Sequence, residues 1–163
     1  MTIPTHKTQH NTTVETLRET IRHFLNTHRK AVFATLDPQG FPVTSLMLYA
    51  IDDDLNVYFG TRRSFSRYTA IKYEPIISLA VIEETTDPLR VVDIRGTAIE
   101  VPDEECGTTC SFFKTKNPAK YYIEDAEDFV MFKLIPNFIR LTDSTSGELK
   151  ISDLPITPPS FEV

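Results

Sequence analysis

Tryptophan is absent, cysteine occurs twice and glycine five times in 163 residues, and each shortage excludes something. Two cysteines cannot cross-link a small secreted scaffold. Cys106 and Cys110 stand four apart on an expected helix, with no histidine near them in sequence. Reduced structural thiols are therefore the better reading, ahead of a zinc site or a redox pair. All four histidines (His6, His10, His23 and His28) precede the first expected strand, and His23 and His28 fall beside the apolar stripe of a helix, where a structural role is expected. No apolar run approaches the ~20 residues that cross a bilayer; the most apolar, Ile76 to Ile82, is seven residues long with a serine inside it. The opening MTIPTHKTQHNTT lacks the apolar centre of a secretory signal, so a cytoplasmic protein without a membrane partner is expected. Positive charge is also scarce: 17 Lys and Arg face 23 Asp and Glu, for a formal charge of −6. No basic stripe interleaved with aromatics is present, which argues against nucleic acid as a partner.

What the chain does contain reads as one domain with an ordinary core. Residues 1–11 are expected to be a mobile tail, 12–147 the single domain, and 148–163 an extended tail rich in proline. Thr12 with Glu15 has capping-box spacing, and Val14, Leu17, Ile21, Phe24, Leu25 and His28 recur at helical intervals. From Ala31 the period changes to two. AVFATL, the turn Asp37-Pro38-Gln39-Gly40 and the run from Phe41 to Ile51 predict a hairpin. Residues Leu46 to Ile51 are apolar at both parities, so something apolar must cover both sides of that strand. RVVDIRGTAIEV predicts a strand bent at Gly96, and Pro102 with three acids after it starts a helix ending near Asn117. The segment from Pro118 to Asp128, with Tyr121 and Tyr122, reads as a short helix and loop. Phe129 to Ile135 and Phe138 to Thr142 read as two strands interrupted at Pro136-Asn137. Tight turns between strands favour an antiparallel, mainly β barrel of the α+β class over a parallel sheet.

The chemistry concentrates between Leu55 and Glu83. A strand, a turn dense in cations and hydroxyls, a short helix closed by Pro75 and a second strand follow one another. Arg62, Arg63, Arg67 and Lys72 fall between Gly60 and Tyr73 with no acid among them. With Ser64 as N-cap, that helix start would suit a phosphate group; the alternative is a solvated basic face answering the acidic turn Asp52-Asp53-Asp54. No Ser/His/Asp grouping, glycine-rich phosphate loop or paired carboxylates stand at persuasive spacing. Tyr49 and Tyr58 are better read as core than as ligand contacts.

In the order of FATLDPQGFPVTSLMLYAIDDDLNVYFGT, the basic helix ending EP, IISLAVIE, VDIRGTAIEV and FKLIPNFIRLTD, the chain resembles the pyridoxamine 5′-phosphate oxidase-like, FMN-binding split-barrel family from about Leu17 to Gly147. The resemblance implies a homodimer of antiparallel six-stranded split β-barrels with peripheral helices and FMN in two clefts at the subunit interface. It implies flavin contacts from Thr44, Ser45, Leu46 and Met47, from Gly60 and Thr61, and from Ser66 and Arg67. Ser45 stands where many members have a phosphate-binding arginine and Ser66-Arg67 where they have Arg-Lys, which leaves Arg62, Arg63 and Lys72 to compensate. An ion-assisted hydrogen bond is worth on the order of 1.5–3 kcal/mol, so one lost cation would weaken FMN roughly tenfold or more. With no tryptophan, and no arginine or histidine after Gly147, the chain lacks the segment that grips the vitamin in the true oxidases. The implied function is a flavin-dependent oxidoreductase on an unidentified small molecule; the alternatives are a flavin- or haem-binding or sensing protein, or a deazaflavin-dependent reductase.

Overall fold

The computed structural model describes residues 13–118 and 127–156; the expected N-terminal tail and the tyrosine pair at 121 and 122 lie outside them. Three helices, α1 (Val14–Thr27), α2 (Ser66–Tyr73) and α3 (Asp103–Lys116), accompany eight strands. The strands are β1 (Lys30–Leu36), β2 (Pro42–Leu48), β3 (Ala50–Ile51), β4 (Val57–Arg62), β5 (Ile76–Ile82), β6 (Arg90–Glu100), β7 (Phe129–Asp143) and β8 (Lys150–Leu154).

Every pairing is antiparallel, and if β2 and β3 count as one strand bent at Tyr49, the sheet closes. β1 pairs with β2, β3 with β4, β4 with β7, β7 with β6, β6 with β5, and β5 again with β1. This is the expected six-stranded barrel. β8 adds to the outside of β7, so residues 150–154 of the C-terminal segment are part of the sheet. The alternation of the strands fills the interior with Phe33, Phe59, Phe132, Leu79, Ile94 and Ile139, with Phe59 stacked on Phe132 at 5.6 Å. Helix α1 contributes Ile21, Phe24 and Leu25 to this core, and α2 contributes Ile71. A second, smaller core lies outside the barrel, where α3 sets Phe113 against Ala50, Val101 and Met131.

Three local expectations change. The cap of α1 is Thr13, whose Oγ1 accepts from the Thr16 N–H, not Thr12 with Glu15. Asp52 is an organiser of its turn, with Oδ1 accepting from the N–H groups of Asp54 and Asn56 and Oδ2 from Asn56 and the Tyr58 hydroxyl. The third change is that β7 runs unbroken through Pro136. Its register against β6 shifts between Arg95 and Gly96, so that Arg95 faces Phe138, Gly96 faces Pro136, and the exposed Asn137 is left over as the bulge. A bulge is where a ladder tolerates a residue without an N–H, so proline and glycine together bend the strand pair rather than end it.

At that bend the two backbones touch. A Cβ on Gly96 would lie 2.1 Å from the Ile135 carbonyl oxygen and 2.9 Å from the Pro136 Cα, atoms that cannot move aside independently. Gly96→Ala should therefore cost about 2–3 kcal/mol, a fall in Tm of roughly 4–12 °C for a chain of this size. A thermal melt matching that of the unmodified protein would show that the bend is not a close contact.

Candidate functional site

The barrel is split beside Tyr49. β3 pairs with β4 through Ala50 opposite Tyr58 and Ile51 opposite Val57. Continued upward, that register would set Leu48, Met47 and Leu46 against Gly60, Thr61 and Arg62, but β2 and β4 are not paired. Those six residues instead line opposite walls of a cleft of about 600 Å3. Tyr49 turns its side chain into the core, where its hydroxyl donates to the Leu25 carbonyl at 2.7 Å, and its own carbonyl accepts from Asn117 Nδ2 at 2.8 Å. Burial pushes the Tyr49 phenol well above its ordinary range, so it stays a neutral donor. Both Tyr49 and Tyr58 are thus structural. The Tyr58 phenol is pushed up to about 12, first by burial and then by Asp52.

Lys30, Phe65, Arg67 and Phe129 complete the cleft. Of the residues implied by the resemblance or read as its cationic support, Leu46, Met47, Gly60, Thr61, Arg62 and Arg67 come together here. Thr44 and Ser45 lie farther down β2, and Ser66 is exposed at the start of α2; none of the three lines the cleft. Arg63 and Lys72 point elsewhere: Glu100 at the end of β6 takes Arg63 at 2.7 Å and Lys72 at 3.1 Å, and accepts from the Tyr68 hydroxyl. The four-cation cluster is therefore divided in two. Arg62 and Arg67 remain at the cleft, their guanidinium carbons 6.0 and 5.1 Å from the Phe65 ring centroid.

The middle helix also begins later than expected. Its N-cap is Phe65, with no side-chain cap, while the Ser64 hydroxyl donates to Asp128 at 2.5 Å and holds that carboxyl below the usual carboxylate range. The acidic turn is answered by α1 instead: Arg18 donates to the Asp53 carbonyl and Arg22 to its carboxylate.

Two features of the cleft walls stand out. Thr61 is 4% exposed and lies on the same face of β4 as the core residues Val57 and Phe59, so its Oγ1 is buried behind the cleft wall without a hydrogen-bond partner, a condition that costs about 1–3 kcal/mol. Leu46 is 67% exposed, a large apolar side chain at the rim. Gly60 fits Phe129 beside it: a Cβ there would fall 2.4 Å from Phe129 Cζ. That glycine was the signal for Phe129, which sequence reasoning did not include. Lys30 and Phe65 were not singled out, and Leu48 was read only as part of the two-sided apolar run from Leu46 to Ile51.

A second hollow of about 650 Å3 shares Lys30 and Leu46 with the cleft but is mixed in sign, with Arg29 and His28 beside Glu83 and Glu84. Arg90 above all, then His28, holds the Glu83 carboxyl below its ordinary range. Fixed negative charge there makes it the poorer place for an anion.

A family model described as pyridoxamine 5′-phosphate oxidase matches residues 17–141. The chain belongs to the pyridoxamine 5′-phosphate oxidase family. The oxidase fold recurs in solved structures. One is the conserved hypothetical protein Rv2991 of Mycobacterium tuberculosis, at 21% identity and TM-score 0.68 over 87% of this chain and 92% of that one. Another is a heme binding protein of Mycobacterium smegmatis, at 19% and 0.70 over 83% and 57%. A third is an F420 reductase, at 22% and 0.61 over 72% and 94%. At these identities the likeness is one of fold. No curated protein matches the sequence. Among the described residues, no helix is long and apolar enough to cross a membrane.

Thr61→Val removes the partnerless hydroxyl at nearly constant shape, so the ligand-free variant should melt no lower than the unmodified protein and up to about 1 kcal/mol more stably. A clear drop in Tm would reveal a partner for the hydroxyl within the chain.

Proposed function

We propose that the protein is a cytoplasmic, FMN-binding flavoprotein, a flavin-dependent oxidoreductase on a small molecule, working as a homodimer. The observation that carries this reading is the seam between β2 and β4. One cleft joins Lys30, Arg62 and Arg67 to an apolar wall of Leu46, Leu48 and Phe129, and of these cations Arg62 also acts on the Asp128 carboxyl. A phosphate monoester carries a charge near −2 at neutral pH with three acceptor oxygens, which suits two guanidinium groups. An aromatic ring system suits the apolar wall.

Bound there, FMN would supply hydride and single-electron transfer, and no nucleophile of the chain is required. Arg62 and Arg67 would hold the phosphate, and the apolar wall would exclude water. Haem is the less favoured occupant, because among the described residues the cleft presents no imidazole, thiolate or phenol for an axial bond. A deazaflavin, suggested by the F420 reductase, would use the same apolar wall, and mass spectrometry of the small molecule released on denaturation distinguishes it from FMN.

A second copy is supported by the outward surface of β1, β2 and β5. Val32 pairs with Leu46 on one side and Ala80 on the other, and Val32, Leu46 and Ile82 are all exposed. That patch is continuous with the open side of the cleft through Leu46, so a partner laid on it would close the cleft as well.

Arg67→Ala should lower FMN affinity about tenfold or more while leaving riboflavin affinity nearly unchanged, because the lost interaction is with the phosphate alone. Equal losses for the two ligands would remove Arg67 from that role. Sedimentation at low concentration should give a dimer, and a monomer fully occupied by flavin would rule out a shared site.

A further inference from the structure

We propose that Cys106 and Cys110 form a peroxide-oxidisable dithiol on α3, and that closing it to a disulfide disturbs the wall behind the cleft. The two sulfur atoms lie 3.8 Å apart, and both residues are half-buried, within reach of a small oxidant. Among the described residues, no group of three or more His, Cys, Asp and Glu side chains is placed to hold a metal.

Residues four apart on a helix hold their Cβ atoms ≈ 5–6 Å apart, whereas a disulfide needs ≈ 3.5–4.5 Å. Closure therefore demands that the intervening turn tighten. The sequence between the thiols is Gly107-Thr108-Thr109, a poor helix former throughout, because glycine leaves the backbone free and the β-branched threonines are restricted against the preceding turn. Packing does not require that glycine, since a Cβ at 107 would meet nothing within 4 Å. Its effect is to make this turn the easiest part of α3 to distort.

The chemistry balances with hydrogen peroxide as oxidant. One thiolate attacks the O–O bond, giving a sulfenic acid and, with a proton, water; the second thiol displaces the sulfenic oxygen as a second water. Two electrons pass from the sulfurs to the peroxide. The reach to the cleft is through packing. Both cysteines lie against the outer core together with Leu48 and Phe129, and these two residues also line the cleft.

Treating the reduced full-length chain with hydrogen peroxide and weighing it intact should show the loss of two hydrogens and of both free thiols, reversed by dithiothreitol. Cys106→Ser and Cys110→Ser should instead gain oxygen. Separate oxygen adducts on both cysteines of the unmodified chain, formed as fast as in the single variants, would overturn the site. Gly107→Ala should slow the closure, and an unchanged rate would remove the loosened turn from the explanation. FMN titration should show weaker binding by the oxidised chain, and equal affinity in the two states would overturn the link to the cleft. This last arm rests on the FMN reading, whose own failure would appear as no binding by the reduced chain.

Discussion

The site depends on how Tyr49 is held. Its hydroxyl reaches the Leu25 carbonyl at the end of α1, its carbonyl is taken by Asn117 at the end of α3, and Lys116 sits 4.0 Å from its ring centroid while donating to the same Leu25 carbonyl. Burial pulls that lysine down to about 8. Each neutral hydrogen bond contributes only about 1 kcal/mol net, but a buried partner left unsatisfied costs 1–3, so the arrangement is strongly favoured as a set. Its consequence is topological. With its carbonyl given to a side chain, Tyr49 cannot carry the β3–β4 ladder upward, and residues 46–48 part from residues 60–62. A barrel paired along its whole length would bury this seam; here β2 and β4 stay apart and the seam is an open cleft.

Charge is divided with similar economy. Four cations within a dozen residues, gathered on one short helix and its turn, would repel one another and attract anions indiscriminately. Glu100 compensates Arg63 and Lys72 from the far end of β6, while Arg62 and Arg67 face the cleft. What is left at the cleft is Arg62 and Arg67 together with Lys30 from β1, and the surrounding apolar surface lowers the local dielectric, so these charges count for more than fully solvated ones do.

Much of this could be read from the sequence, and the remainder could not for definite reasons. The helix and strand periods placed α1, the first hairpin, β5, β6 and α3 within a residue or two, because each has a strong pattern and a proline, glycine or hydroxyl at its end. The double-sided apolar run from Leu46 to Ile51 was legible as a strand with two partners, and they are the core, which takes Met47 and Tyr49, and the cleft, which takes Leu46 and Leu48. What stayed hidden was non-local. Glu100 lies 37 residues from Arg63 and 28 from Lys72, and nothing near either cation announces it. Asn117 is 68 residues from Tyr49, so a helix-ending asparagine gave no hint that it splits a barrel. At Pro136 the local rule that proline interrupts a strand gave way to Gly96 on the neighbouring strand, which supplied the bulge that makes proline acceptable.

The separation of the two cores decides what can vary. The barrel interior is one packed cluster, and Phe33, Phe59 and Phe132 meet within it at ring distances of 4.7 and 5.6 Å, so a change there is felt across every strand. The outer core under α3 is small, and it shares Leu48 and Phe129 with the cleft but contributes no residue to the barrel's centre. Phe129 is the shared member, set against Gly60 on one side and against the outer core under α3 on the other. A substitution or modification beneath α3 can therefore reach the cleft through Leu48 and Phe129 while the packing of the barrel interior is left as it is.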